Sequence, residues 1–352
     1  MGADFRIGTA EHGMSGAIIV EEVTAQDWPA MAAEFSDLTY EQDIAFVTAG
    51  ARRIGAQVRA FAVRRDGDLI GAACLRIKAV PVLRRGIAYL LAGPMTGRGT
   101  VAEAPGRAAV VLTALRTHIV GGEGHLLRLR LPVTAEGFVE GDITRAGFLP
   151  TAQTPAYRTV LIDLRSDNET LRKGLHSKWR YELRRAEGEA MEIVTGRSAV
   201  MVERFLTLYR EMREFKSFDQ GFDPAFLRGM ADTAFDFEVR IAVHHGVDVG
   251  GHVTAFTPAC ATYLFGATTE AGRTLRAGYA LSWDAVTGAR GRGARWFDLG
   301  GVDKVTNAPG YTFKARTGGN EVSALGPYEA GTLLGGPVLR SIESVYAAVK
   351  QA

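Results

Sequence analysis

The chain has 352 residues, of which 47% are hydrophobic and 23% charged, and its formal net charge is +2. This composition excludes a disordered chain, and near-neutrality requires that any phosphate or nucleic acid be bound by a local basic patch. Two cysteines, Cys74 and Cys260, exclude a disulfide framework and a multi-cysteine metal site. The length is typical of two domains.

The location of the protein is expected to be cytoplasmic. No stretch approaches the ~18 uninterrupted apolar residues of a membrane-spanning helix. Residues 1–16 form a polar leader without the apolar core of a signal peptide. Both cysteines lie in apolar, strand-like surroundings, as buried thiols do in a reducing compartment.

The hydrophobic pattern of the first half predicts a mixed α/β domain. Asp66-Gly67-Asp68 is a hairpin signal between two β-rich runs. Leucine alternates with arginine over 126–131, which is typical of a half-buried strand. The predicted elements are strands at 17–24, 58–65, 69–79, 87–92 and 126–131, a short helix beginning near Trp28 and capped by Asp27, and a helix at 107–120.

The second half repeats this alternation of strands and helices. The predicted strands cover 158–164, 192–195, 237–244, 249–256, 262–268 and 296–299. The predicted helices cover 168–190, 199–214, 224–234, 277–289 and 332–349.

The two halves also resemble each other in sequence. Ala62-Val63 aligns with Ala242-Val243, and Gly71 with Gly251, at one constant offset. Each half then continues with a strand, a glycine-punctuated helix and another strand, and a shared order indicates duplication. We therefore predict a leader at 1–16, a first domain at 17–152 and a second at 153–352, each a mixed sheet covered by helices.

The segment 171–185 combines an apolar helical stripe with a strong excess of positive charge. Most charged helix faces are merely solvated. An excess this large in a nearly neutral chain favours a phosphate-binding surface, since Arg and Lys hold phosphate by charge-assisted hydrogen bonds. The candidate residues are Lys178, Arg180, Arg184 and Arg185.

The segment 294–319 carries the candidate chemistry. Asp298 ends a predicted buried strand, where it either points into a cleft or caps the following turn. A Gly/Pro-containing loop follows, in which Lys304, Tyr311 and Phe313 are candidate substrate-binding residues. Lys314 then lies between Phe313 and Ala315. A loop lysine is usually exposed and idle, but a rigid one can face a reacting carbonyl.

These motifs resemble the Fem-type peptidoglycan peptidyltransferases. The resemblance covers roughly 158–328 and rests on the basic helix, Tyr-Leu-Phe-Gly-Ala at 263–267, Phe-Asp-Leu-Gly-Gly at 297–301 and Phe-Lys ahead of Gly-Gly at 313–319. It implies two tandem acetyltransferase-like (GNAT) domains. It further implies transfer of an amino acid from its tRNA ester to an amine of a nucleotide- or lipid-linked peptidoglycan precursor.

The resemblance also implies roles for individual residues. Lys314 would face the tetrahedral intermediate, the basic helix would hold the precursor diphosphate or the tRNA end, and Tyr263 and Trp283 would line the groove. Aminoacyl-tRNA is then a co-substrate, and no resident cofactor or metal is expected. A lipid-linked acceptor would add peripheral contact with a membrane. The chain lacks the long charged insertion of some members.

Two alternatives stay open. One is an N-acyltransferase that uses acyl-CoA and binds its pyrophosphate at a Gly-rich helix start. The corresponding place is 275–280, where Leu275 occupies the first position of that motif. The acceptor would then be a sugar of an exopolysaccharide, nucleotide- or lipid-linked. The other alternative is a non-catalytic module that binds such an acceptor.

Overall fold

The computed structural model describes residues 6–7, 16–80, 83, 85–97, 106–134, 138–151, 156–216 and 223–351. The chain forms two compact units, of which one comprises Met1–Tyr157 with Ala324–Ala352 and the other Arg158–Ser323. The predicted leader lies outside the described residues, apart from Arg6–Ile7 and Gly16.

The strands are β1 (Arg6–Ile7), β2 (Ile18–Val23), β3 (Gln57–Arg65), β4 (Asp68–Val80), β5 (Arg85–Leu91), β6 (Leu126–Arg130), β7 (Leu149–Pro150), β8 (Arg158–Asp163), β9 (Met191–Gly196), β10 (Phe237–His244), β11 (Val247–Phe256), β12 (Cys260–Thr268), β13 (Trp296–Asp298), β14 (Asn320–Ser323) and β15 (Tyr328–Ala330). The helices are α1 (Trp28–Ala32), α2 (Ile44–Ile54), α3 (Arg107–Arg116), α4 (Glu140–Arg145), α5 (Asn168–Gly174), α6 (Ser177–Glu187), α7 (Ala199–Lys216), α8 (Glu270–Thr274), α9 (Ala277–Gly291), α10 (Ala308–Ala315) and α11 (Gly335–Gln351).

Each unit is built on one mixed sheet. The first sheet has the order β1-β2-β3-β4-β5-β6-β15-β7, and the second β14-β8-β13-β12-β11-β10-β9. The described pairings are antiparallel except for β5 with β6 and β12 with β13. In both units a helix connects the two parallel strands, as a parallel pairing requires. The predicted fold class, two tandem mixed α/β units, is confirmed.

The boundary between the units differs from the predicted division into 17–152 and 153–352. Residues 324–352 belong to the first unit, because β15 pairs with β6 on one side and β7 on the other. The second unit ends instead with β14, which pairs with β8. A three-residue strand that returns to an earlier sheet has too little sequence to be predicted.

Corresponding hairpins confirm the similarity of the two units. The β3–β4 turn has positive φ at Asp66 and Gly67, and the β10–β11 turn has it at His245 and Gly246. Positive φ at both central residues is typical of the type I′ turn, whose twist matches that of the flanking strands. Each hairpin also contains one irregularity of register close to its turn.

The position of that irregularity corrects the sequence alignment by one residue. Val63 pairs with Gly71 just before the shift, and Ala242 pairs with Gly250 just before the other. Gly71 therefore corresponds to Gly250 and not to Gly251.

Packing of the following helix agrees with this correction. A Cβ placed on Gly71 would lie 2.6 Å from the Val111 side chain of α3. One placed on Gly250 would lie 3.1 Å from the Leu281 side chain of α9. At both positions the small residue therefore lets the helix approach the sheet closely.

Three predicted helices take a different form. The helix predicted over 168–190 is interrupted at Leu175-His176, where the backbone is extended and the His176 ring accepts a hydrogen bond from the Lys178 amide at the start of α6. The helix predicted over 224–234 is a 3₁₀-helix at Pro224–Gly229. The helix predicted over 107–120 continues beyond α3 as a π-helical turn at Thr117–Gly122.

The N-terminal start of α1 also differs from its prediction. Asp27 makes no side-chain capping bond to the helix and instead accepts a hydrogen bond from the Thr24 hydroxyl at 2.6 Å. None of the described helices has the length and apolar character needed to cross a membrane.

Candidate active site

Lys314 lies in the last turn of α10 and not in a loop as predicted. The Asn307 side chain caps this helix by accepting a hydrogen bond from the Gly310 amide at 3.1 Å, and a proline occupies its first turn. The Lys314 Nζ donates to the backbone carbonyl of Gly301 at 2.9 Å and lies 3.5 Å from that of Gly300. It is also 4.9 Å from the centre of the Tyr263 ring.

The surroundings of Lys314 favour a donor that can lose its proton near neutral pH. Burial lowers the pKa of Lys314 to about 8, and the nearby Asp298 carboxylate opposes this shift. The amine is still mostly protonated at pH 7. A half-buried ammonium of this kind stabilises negative charge more strongly than one in water.

Asp298 is buried at the end of β13 and has the contacts of a turn cap. Its Oδ1 accepts a hydrogen bond from the Gly300 amide at 2.8 Å and contacts the Thr159 hydroxyl. These bonds fix the turn whose carbonyls hold Lys314. Of the two readings that the sequence left open for Asp298, its described contacts favour the cap.

Tyr263 lies between Lys314 and a buried histidine. The register of β11 with β12 shifts beside it, between Val253 and Thr254. The Tyr263 ring centre is 4.7 Å from that of His252, and burial raises the pKa of Tyr263 to about 12. The phenol is therefore neutral at physiological pH.

His252 was not predicted as a site residue. Its Nδ1 lies 3.1 Å from the Thr254 hydroxyl, whereas its Nε2 has no hydrogen-bond partner among the residues that the structure describes. Burial and the nearby cations lower its pKa well below the usual value, so the ring is neutral. A histidine in a strand carries no sequence signal that would have revealed this contact.

The basic helix α6 presents a narrower charged surface than predicted. Lys178, Arg184 and Arg185 are exposed and form no ion pair with any described residue. Arg180 instead donates to the carbonyl of Lys173 at 2.6 Å and to that of Leu175, which ties α6 to the end of α5. Arg180 is thus a structural residue in its observed contacts.

The acidic residues of α6 are engaged elsewhere. Glu182 pairs with Arg276 at the start of α9, and Glu187 pairs with Arg172 of α5 at 2.5 Å. They therefore do not neutralise the three exposed cations of their own helix.

Lys304 and Tyr311 form a separate group around one carboxylate. The Tyr311 hydroxyl donates to Glu321 at 3.0 Å, and the Lys304 ammonium lies 3.3 Å from the same oxygen. Arg158 also pairs with Glu321. Both predicted substrate-binding residues are therefore already engaged with protein partners.

The predicted aromatic residues contribute to two neighbouring features. Phe313 packs with Trp179 and Tyr279, with ring centres 5.7 and 5.0 Å away, and so joins α10 to α6 and α9. Trp283 is half-buried, with the Arg172 guanidinium 5.9 Å from its ring centre. The structure thus gathers Lys314, Asp298 and Tyr263 at one end of the parallel strands, with Phe313 on the adjoining helix.

Metal ligation has no support in the described part of the chain, where no group of three or more His, Cys, Asp or Glu side chains could hold a metal ion. Cys74 is buried and Cys260 is half-buried, and removal from solvent raises the pKa of both thiols, so neither is a thiolate at neutral pH.

Comparisons with known proteins bear on the fold and on the second unit. Residues 173–315 match the family model described as an acetyltransferase (GNAT) domain. No curated protein matches the chain in sequence. The structure of FemX is similar with a TM-score of 0.77 and 16% identity, over 92% of this chain and 99% of that one.

Two further structures share the fold more distantly. A conserved protein of unknown function from Bacteroides thetaiotaomicron has a TM-score of 0.59 at 11% identity, over 89% of this chain and 98% of its own. L-PGS from Bacillus licheniformis has a TM-score of 0.52 at 13% identity, over 88% of this chain and 92% of its own. The chain therefore has the fold of FemX, and residues 173–315, within its second unit, are similar to the acetyltransferase (GNAT) domain.

Proposed function

We propose that the protein transfers an aminoacyl group from aminoacyl-tRNA to an amine of a peptidoglycan precursor or a related cell-envelope acceptor. The observation that carries this proposal is the Lys314 ammonium, held at 2.9 Å by the Gly301 carbonyl inside the segment that matches the acetyltransferase domain. The resemblance of the motifs at 263–267, 297–301 and 313–319 to the Fem-type peptidyltransferases supports an aminoacyl donor over other acyl donors. The fold alone would not choose among them.

The chemistry needs no nucleophilic side chain. A neutral acceptor amine attacks the carbonyl carbon of the ester, and a tetrahedral intermediate with a negatively charged oxygen forms. The carbon–oxygen ester bond then breaks. The amine loses a proton, and the departing ribose oxygen gains one and leaves as a hydroxyl group. Lys314 donates a second N–H to the oxyanion while the Gly301 carbonyl keeps the ammonium in place.

Asp298 and Tyr263 help to hold Lys314 in position. Asp298 holds the turn that contains Gly300 and Gly301, so the ammonium is oriented before the reaction begins. The Tyr263 ring covers one side of the ammonium and excludes water there. A preoriented donor needs little rearrangement when charge develops on the substrate.

The exposed cations of α6 would hold phosphate groups of the donor or the acceptor. Lys178, Arg184 and Arg185 have no carboxylate partner among the described residues, so their full charge faces solvent. Such contacts weaken as salt rises, because each bound phosphate releases counterions.

A second candidate is transfer from acyl-CoA. The helix α9 has 15 residues and begins directly after Arg276, which has a positive φ and makes no side-chain capping bond. Such a helix start can accept a pyrophosphate. The Arg276 guanidinium, however, is paired with Glu182, which removes the most obvious cation from that place.

A third candidate is a module that binds the acceptor without catalysis. The lowered pKa and fixed contacts of Lys314 support catalysis over binding alone, because a residue that only binds an anion gains nothing from partial loss of its charge.

Product analysis would test the proposal. The purified protein is incubated with labelled aminoacyl-tRNA and nucleotide-linked peptidoglycan precursors, and in parallel with acetyl-CoA. We expect an amide product from the tRNA reaction only, and loss of that product with Lys314→Met. A product from acetyl-CoA alone would establish the second candidate, and no product from either donor would contradict both.

A further inference from the structure

A cavity of about 190 Å³ lies in the second unit, between α5, α9 and the segment that follows α10. Its walls are mostly aliphatic and aromatic. The lining residues used below are Leu171, Trp179, Ser282, Val286, Leu299 and Thr317.

The cavity has an exposed rim and a buried floor. Thr170 and Gly174 of α5 and Asn320 of β14 are exposed at the rim, whereas Val286 and Leu299 are buried. A ligand could therefore enter from the surface beside α5 and bury an apolar group against α9 and the sheet. Concave, mainly apolar pockets with a few polar groups are typical of ligand sites.

Among the described lining residues Asp163 is charged; it is half-buried at the end of β8 and paired with Arg165, and the buried floor carries no charge. Ser282 is buried there, and Trp179 lines the wall. The Trp179 indole N–H has no acceptor among the described residues.

One wall of the cavity is joined directly to the segment that holds Lys314. Leu299 immediately precedes Gly300, and Thr317 follows Lys314 by three residues. The Thr317 hydroxyl donates to the Lys314 carbonyl at 2.7 Å. The cavity wall and the position of the ammonium are therefore set by the same short stretch of backbone.

The width of the cavity at its rim is set by two backbone segments in close contact. Gly318 has a φ of 83°, and a Cβ placed on it would lie 2.7 Å from the Gly174 carbonyl. The end of α5 thus packs against the segment after α10 with no space for a side chain. This contact gives the cavity a fixed width.

We propose that this cavity receives the uncharged side chain of the acyl group that is transferred, an inference that rests on the proposed function. An engineered cavity of about 150 Å³ holds benzene, so this one is large enough for a branched aliphatic or phenyl group. A charged side chain is disfavoured, because the buried floor offers it no counter-charge and the Asp163 carboxylate of the lining is already paired with Arg165. The donor is thus an apolar amino acid of moderate size.

Binding of toluene tests the cavity without any turnover. Toluene is titrated into the full-length protein and followed by ligand-observed NMR, with Ser282→Leu to fill the cavity and Thr287→Leu on the same helix as a control outside it. We expect Ser282→Leu to weaken toluene binding at least 10-fold and Thr287→Leu to leave it unchanged. Equal binding by all three proteins would overturn the proposal.

A second variant guards against misfolding of the first. Leu171→Ala enlarges the cavity from a half-buried wall, and its melting temperature and circular dichroism are compared with those of the parent. The ratio of the affinity for p-xylene to the affinity for toluene should be higher for this variant than for the parent. An unchanged ratio of the two affinities in a folded variant would contradict the proposal that the cavity selects ligands by size.

The transfer assay separates the cavity from the proposed function. With donors that differ only in the amino acid, Ser282→Leu should lower kcat/KM for leucyl-tRNA at least 10-fold and leave glycyl-tRNA within about 2-fold. A loss equal for both donors would overturn the cavity's role alone. Toluene binding by a parent protein that transfers no donor would contradict the proposed function and, with it, the acyl assignment.

Discussion

Replacing Lys314 with methionine is the sharpest test of the active site. Methionine keeps most of the length and apolar volume but removes the donor that contacts Gly301 at 2.9 Å. Loss of one preorganised oxyanion donor lowers kcat by roughly 10²–10³, or about 3–4 kcal/mol of transition-state stabilisation. Binding of the acceptor should change little, because the interaction is made mainly in the transition state.

The pH dependence of the same variant gives an independent check. The pKa of Lys314 is lowered from 10.5 to about 8, so the required ammonium is lost as pH rises through about 8. The rate of the parent should therefore fall above that pH. The Lys314→Met protein should lack this decline, since no group at this position titrates.

Stability should respond in the opposite sense to activity. Between pH 8 and 10.5 the unfolded chain binds the Lys314 proton while the folded chain does not, so stability attributable to this group rises with pH across that window. Below pH 8 the cost of burying the charge is fully present. Lys314→Met should thus be as stable as the parent at pH 7, or more stable.

The assay is single-turnover transfer at saturating substrates from pH 6 to 10, with urea unfolding of each protein. Lys304→Met serves as the matched control, since Lys304 lies in the same segment but contacts Glu321 and Tyr311. The control should retain its rate within about 3-fold. A Lys314→Met rate close to the parent's, or a loss confined to acceptor affinity, would refute the role assigned to Lys314.

The remaining predictions concern α6 and the turn after β13. Replacing the three exposed cations Lys178, Arg184 and Arg185 with glutamine should weaken binding of the phosphate-bearing substrate. In titrations at several salt concentrations, the slope of the logarithm of the binding constant against the logarithm of the salt concentration should become smaller in magnitude by up to about three. The same substitution should leave the free energy of unfolding within about 1 kcal/mol. Arg180→Ala should behave in the reverse way, with a loss of about 1–3 kcal/mol in urea unfolding because two carbonyls lose a charged donor, and with unchanged substrate affinity. Asp298→Ala should lower kcat more than it raises KM, because the turn that orients Lys314 loses the oxygen that accepts from the Gly300 amide; an increase confined to KM would contradict this.

Much of the fold could be predicted because alternating apolar residues mark strands directly. The hairpins, the order of the strands and the duplication all followed from such patterns. The one-residue error between Gly250 and Gly251 arose because a change of register leaves no mark in a pattern of apolar residues. The break at Leu175-His176 was missed because the apolar helical stripe continues across it.

The candidate site was predicted in outline and not in detail. Lys314 was placed in a loop because glycine and proline precede it, although Asn307 with a proline in the first turn is a typical helix start. The role of Arg180 could not be predicted, since charge on a helix does not reveal which carbonyls lie beside it. His252 was missed because its significance comes only from its contact with Tyr263.

The return of β15 to the first sheet has a consequence for biosynthesis. The ribosome makes the first unit's early strands, then all of 158–323, and only then the strand that separates β6 from β7. At ~5–20 residues per second this delay is on the order of ten seconds. During that time β6 has an unpaired edge, which is a template for wrong pairing with another chain. We therefore expect the nascent first unit to be more prone to mispairing at β6 than the finished structure suggests.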